Sequence, residues 1–176
     1  MRTQYLIKNA LITLIATTML CSCSEEKDNG VPGHDFANMF SLVDKAGNDL
    51  LDPQSPNHYN TPETIRIYRL EDGEKVLQYN PMSGSPYAFN IHAPEDTFKE
   101  KYLMSVAQSW DISEEFAVVY VEWNAEETDT IEYQRELIYN SRLKLINIWY
   151  NGQLVWSEDN PEDVANNPQR LFEIVK

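Results

Sequence analysis

The dipeptide Asn151-Gly152, set between the apolar runs LKLINIWY (143–150) and QLVW (153–156), constrains this chain more than any other feature. Asn and Gly tolerate positive φ, which both central residues of a type I′ turn require, so the dipeptide predicts a two-residue β-hairpin. Such a loop pairs Trp149 with Leu154 and Ile148 with Val155, and apolar side chains meet on both faces. A second hairpin is expected where Glu71-Asp72-Gly73 separates TIRIYRL from EKVLQY. A two-residue Asp-Gly loop puts Glu71 opposite Glu74 and Ile67 opposite Gln78. A three-residue loop with left-handed Gly73 pairs Ile67 with Leu77 and Ile65 with Tyr79. It also moves the like-charge clash to Arg69 and Lys75, whose long stems can splay. The apolar pairing favours the three-residue loop.

The remaining pattern is also strand-like. Ile131, Tyr133, Arg135 and Leu137 alternate with Glu132, Gln134 and Glu136, as in a half-solvated strand. Phe116–Trp123 is apolar on both faces until Glu122 and reads as a central strand. Tyr87, Phe89 and Ile91 alternate with Asn90 and His92, while 36–43 and 101–108 are weaker strand candidates. Helix signals are few. Asn160-Pro161-Glu162-Asp163 offers an N-cap, a proline at the first position and acids in the first turn, and Pro168 ends whatever starts there. Residues 95–101 allow another short helix. Eight or nine strands with one or two short helices within residues 36–176 predict an all-β antiparallel β-sandwich; the alternative is a small β-barrel.

The N-terminus carries a different signal. Arg2 and Lys8 precede an apolar run from Ala10 to Leu20, interrupted only by threonines. A bilayer-spanning helix needs about 20 apolar residues, so this run fits the core of a signal peptide and no transmembrane helix is expected. Leu20-Cys21-Ser22-Cys23 resembles the bacterial lipobox, with Leu at −3, a small residue at −1 and Cys at +1. The resemblance implies that residues 1–22 are removed and that the Cys23 thiol is acylated. Several acyl chains, at ~0.8 kcal/mol per buried CH₂, anchor firmly. Ser24-Glu25-Glu26-Lys27-Asp28 then resembles the surface-export stretch of Bacteroidetes-type lipoproteins. Residues 23–35 read as a lipidated, acidic tether whose coil spans on the order of 20 Å.

Loss of residues 1–22 leaves 154, enough for one domain with a full core. It also removes Arg2 and Lys8, taking the net charge from −14 to −16. A chain this acidic repels phosphate, so nucleic acid is a poor partner. Cys21 leaves with the signal and Cys23 is acylated, so the domain holds no disulfide and no Cys-ligated metal.

No catalytic motif stands out. Asp44, Asn48, Asp49 and Asp52 crowd one segment and could supply oxygen ligands to Ca²⁺, but the spacing is not that of an EF-hand, and Gly47-Asn48 also reads as a turn. Glu158, Asp159, Glu162 and Asp163 form a second acidic loop. His34, His58 and His92 are too scattered to suggest a zinc site or a catalytic triad. Trp123, Trp149 and Trp156 lie in apolar strands and are expected in the core, which leaves Trp110, Tyr59 and Tyr87 as candidates for stacking on a sugar ring.

The whole resembles small Bacteroidetes-type surface lipoproteins with immunoglobulin-like sandwiches, carried by the lipobox, the acidic stretch, DKAGNDLLDP (44–53) and WYNGQLVW (149–156). The resemblance brings no catalytic residues and no cofactor. It implies an outer-membrane lipoprotein facing the cell surface. The expected function is a non-catalytic binding or interaction module for an envelope protein or a glycan. A glycan-binding accessory protein is the alternative, and an enzyme or enzyme inhibitor is a third reading.

Overall fold

The computed structural model describes residues 38–59, 64–97, 99–108, 111, 113–138 and 142–176. The signal segment, the lipobox with Cys23, the tether, His34 and Trp110 lie outside the described residues. Among the described residues, ten strands form two sheets. They are β1 (Met39–Val43), β2 (Arg66–Glu71), β3 (Glu74–Leu77), β4 (Phe89–His92), β5 (Leu103–Val106), β6 (Phe116–Asn124), β7 (Glu127–Ile138), β8 (Arg142–Tyr150), β9 (Gln153–Ser157) and β10 (Leu171–Val175). Two short helices, α1 (Pro94–Thr97) and α2 (Pro161–Asn166), also lie among the described residues. The order is β10-β1-β5-β4 in the smaller sheet and β3-β2-β6-β7-β8-β9 in the larger. Each sheet ends in edge strands, so the arrangement is sandwich-like and the barrel alternative does not hold among the described residues.

Alternation explains the packing. Along β6, Ala117, Val119, Val121 and Trp123 point inward, and along β7 so do Ile131, Tyr133 and Arg135. Phe40 and Leu42 of β1 and Met104 and Val106 of β5 meet them from the other sheet. Trp123 and Trp156 are each 1 % exposed, and cutting either back to Ala would cost about 3–5 kcal/mol. Leu137, expected inside with Ile131 and Tyr133, is 42 % exposed because β7 outruns the core there.

Several register expectations change. The Asn151-Gly152 turn has the I′ signature, with φ of 48° and 78°, and Trp149 does pair with Leu154. Ile148, however, pairs with Trp156, not Val155, because a bulge inserts Val155. Without that extra residue Trp156 would fall on the outer face. The other hairpin closes through the two-residue loop. Asp72 and Gly73 have φ of 51° and 84°, Glu71 lies opposite Glu74, and the Gln78 amide donates to the Ile67 carbonyl. The three-residue alternative fails because the Glu71–Glu74 clash is mild. Both residues are solvated, and Gln78 Nε2 donates to the Glu71 carboxylate at 2.9 Å.

The strand β10 was not anticipated. It runs parallel to β1, so the sandwich is not wholly antiparallel. The helix α2 is capped as expected: the Asn160 side chain accepts from the Glu162 amide at 3.1 Å, and Pro161 opens the first turn.

Candidate binding face

The larger sheet has one face in the core and one outside. The outer positions are fixed by pairing with residues whose neighbours are buried. On β2 they are Arg66, Tyr68 and Leu70, since Ile65 and Ile67 point inward. Tyr68 lies opposite Leu77 on β3 and opposite Tyr120 on β6, and Tyr120 lies opposite Thr130 on β7. One row therefore crosses four strands as Leu77, Tyr68, Tyr120 and Thr130. A neighbouring row carries Val118 opposite Glu132, Glu132 opposite Trp149, and Trp149 opposite Leu154. Tyr68, Tyr120 and Trp149 are half-buried in their strands, while Leu70, Leu77, Phe116 and Leu154 are exposed.

Trp149 corrects the expectation that it is a core residue. Its partner Glu132 alternates with inward Ile131 and Tyr133, which puts Trp149 on the solvent side. The signal was present in the sequence: Leu143 and Leu145 share one parity, Ile148 and Tyr150 the other. A parity break inside an apolar strand marks a bulge, and one occurs at Ile146, between the pairs Arg135–Leu145 and Gln134–Asn147. The Lys75 ammonium lies 3.8 Å from the Tyr120 ring centre, a cation–π contact on this face.

At the β3 edge, where Arg66 and Leu77 adjoin the inward-pointing Ile65 and Ile67, lies a groove of about 240 Å³. It is lined by Ile65, Arg66, Ile67, Leu77, Gln78, Tyr79 and Tyr87, so Arg66 and Leu77 belong to both surfaces. Tyr79 is 55 % exposed, and its ring lies 5.3 Å from that of Tyr87 at an interplanar angle of 44°. Tyr87 thus stands where a ligand could reach it, half-buried beside an exposed partner.

No protein-family model matches this chain, and no curated protein or solved structure matches it either. The site is therefore read from its chemistry alone.

The other expected residues do different work. Tyr59 packs against Trp123 with ring centres 5.4 Å apart and donates to the Glu127 carboxylate at 2.7 Å. Burial, then Glu127, push its hydroxyl up to about 12. It belongs to an internal cluster around Asp129, which accepts from Trp123 Nε1 at 2.6 Å, Asn151 Nδ2 at 2.9 Å, the Tyr150 hydroxyl and Lys176. Burial would raise the Asp129 carboxyl, but the hydrogen bonds from Asn151, Lys176, Tyr150 and Trp123 outweigh it and hold the group below its ordinary value.

The acidic segment caps its own turns. Asp44 accepts from the Ala46 and Asn48 amides and from Asn48 Nδ2. Asp49 accepts from the Leu51 and Tyr102 amides, and Asp52 from that of Gln54. These carboxylates are engaged separately, which is why the calcium reading finds no support. Among the described residues, no group of three His, Cys, Asp or Glu side chains is placed to hold a metal ion. In the second acidic loop Glu158 pairs with Lys144 at 2.7 Å, and Asp163 accepts from the Ser157 amide at 2.9 Å.

One serine–histidine contact occurs, Ser105 Oγ to His92 Nε2 at 2.9 Å. It links two neighbouring strands, β4 and β5, and no carboxylate hydrogen-bonds to the ring among the described contacts.

Proposed function

We propose that this chain is a non-catalytic surface lipoprotein, held on the outer membrane through acylated Cys23, whose sandwich serves as a binding module of the envelope. The observation that carries the binding role is the aromatic outer face of the larger sheet. Tyr68, Tyr120 and Trp149 stand there among exposed Leu70, Leu77 and Leu154, next to the Tyr79–Tyr87 groove. A soluble domain has no folding reason to keep that many apolar side chains on one solvent face, and such patches mark interaction surfaces.

The address rests on sequence. The lipobox-like Leu20-Cys21-Ser22-Cys23, the acidic stretch after it and the charge of the chain fit a small surface lipoprotein of the Bacteroidetes type. The two-sheet fold is compatible with the immunoglobulin-like sandwich that this resemblance implies.

The experiment is capture by chemical cross-linking on intact cells. Wild-type protein is compared with Tyr120→Ala and Trp149→Ala, both checked for folding by circular dichroism. Loss of the captured envelope component in either variant supports the reading. Capture that ignores both variants refutes the face. Turnover of an oligosaccharide or peptide by the purified domain, lost when one carboxylate is replaced, refutes the non-catalytic role.

A further inference from the structure

We infer that the outer face of the larger sheet, together with the groove at its β3 edge, binds a neutral oligosaccharide. This rests on the binding-module reading and adds the class of ligand.

Charge is the first argument. The chain carries a net −14, and this face has no excess of cations either. Among the described side chains, Arg66, Lys75 and Lys144 share it with Glu122, Glu132 and Glu136, and Glu158 and Glu115 reach Lys144 and Gln134 on it at 2.7 and 3.1 Å. An anionic polymer meets no excess of cations here and is repelled by the rest of the chain.

The mixture of groups is the second argument. In a protein interface the central residues are depleted of charge, because a buried ion without a partner is costly. Here the aromatic rows are interleaved with ions: Glu132 lies directly between Val118 and Trp149, and Lys75 sits over Tyr120. A sugar suits this pattern. Its C–H faces stack on Tyr and Trp rings while its hydroxyls, each both donor and acceptor, satisfy carboxylates and ammonium groups in the same plane. Lys75 and Arg66 are placed to donate, Glu122 and Glu132 to accept, and Thr130 to do either.

Shape is the third. Five steps between six strands, at ~4.8 Å each, give a flat face about 24 Å across. The row Leu77–Tyr68–Tyr120–Thr130 runs across the strands, and its Leu77 end opens on Tyr79 and Tyr87. A linear chain lying along this row meets Tyr120 and Tyr68 in turn and ends at Leu77, on the rim of the groove. The stacking residues are thus Tyr68, Tyr120, Trp149, Tyr79 and Tyr87; of the three read from sequence, Tyr87 remains, and Tyr59 is engaged inside.

The test is calorimetric titration of the full mature protein with neutral hexaoses of gluco, manno, galacto and xylo configuration, with a sulfated oligosaccharide alongside. At least one neutral hexaose is expected to bind, with an affinity that is constant between ~0.05 and ~0.5 M salt, since no ion pairing contributes. Tyr120→Ala and Tyr68→Ala should each weaken it about tenfold, the loss of one stacking contact. Tyr120→Phe, which keeps the ring, should bind as wild type and guards against a folding artefact. Binding of the sulfated probe alone, or of no probe, overturns the inference. If no hexaose binds while cross-linking captures a protein that Tyr120→Ala releases, the ligand class is wrong and the binding-module reading stands. If neither sugar nor protein depends on Tyr120, Tyr68 or Trp149, both fail.

Discussion

Trp123 donates its indole N–H to the carboxylate of Asp129 at 2.6 Å, between two side chains that are otherwise sealed in the sandwich interior. The bond is one of four that converge on Asp129, and its donors come from β6, from the end of β8, from the Asn151 turn and from Lys176 beyond β10. Because Lys176 follows the last strand of the smaller sheet while the others belong to the larger, the carboxylate ties the two layers together. Lys176 also pairs with Glu127 at 2.7 Å and lies over the Trp123 ring.

Replacing Asp129 by Ala should cost about 1–3 kcal/mol, because it leaves the Trp123 indole N–H without its acceptor and Lys176 with Glu127 as its one remaining carboxylate partner among those described. Urea denaturation at neutral pH measures this. The variant should unfold at a lower midpoint with an unchanged slope.

The same carboxyl gives a pH dependence. It is held below its ordinary value, so its stabilisation is complete above about pH 4, the unfolded carboxyl's range, and disappears as pH falls through the folded-state value. Asp129→Asn should flatten this part of the acid limb. The wild type should lose stability more steeply than the variant as pH falls below about 4. Equal acid slopes in the two proteins would count against it.

At the alkaline end, Tyr59 is raised to about 12, first by burial and then by Glu127. Its neutral form favours folding, so that contribution is complete below about pH 10 and is lost as pH rises through about 12. Spectrophotometric titration should show one fewer late-titrating phenol in Tyr59→Phe, together with a stability loss of about 1 kcal/mol from the missing bond to Glu127.

Two glycines separate backbone from packing. Gly152 has φ of 78° and Gly84 has no positive φ; a methyl group at either would meet nothing within 4 Å. Gly152→Ala should therefore cost about 1–2 kcal/mol from left-handed strain alone, and Gly84→Ala less than ~0.5 kcal/mol. Thermal unfolding of the two variants decides it. A Gly152→Ala protein as stable as wild type would be inconsistent with the I′ turn.

For the anchor, Cys23→Ala should abolish acylation and move the protein from the membrane fraction to a soluble or uncleaved form. Intact-mass measurement of the wild-type protein checks this directly. A mature chain that starts at residue 23 without acyl mass would remove the lipoprotein reading.

What the sequence determined by itself was local. The alternation around Tyr133, the apolar run of β6 and the Asn151-Gly152 dipeptide fix strands and one turn, because strand period and positive-φ preference are properties of a few adjacent residues. The two-sheet architecture followed from counting such elements. The tertiary structure decided which face each side chain took. A bulge at Val155 turns Trp156 into the core, and another at Ile146 leaves Trp149 outside; one inserted residue reverses every side chain beyond it. The strand β10 is another case, since LFEIV acquires its partner β1 from the far end of the chain. The candidate face was hidden for the same reason. Tyr68, Tyr120 and Trp149 are separated by 52 and 29 residues in sequence, and only the register of four strands brings them to one surface.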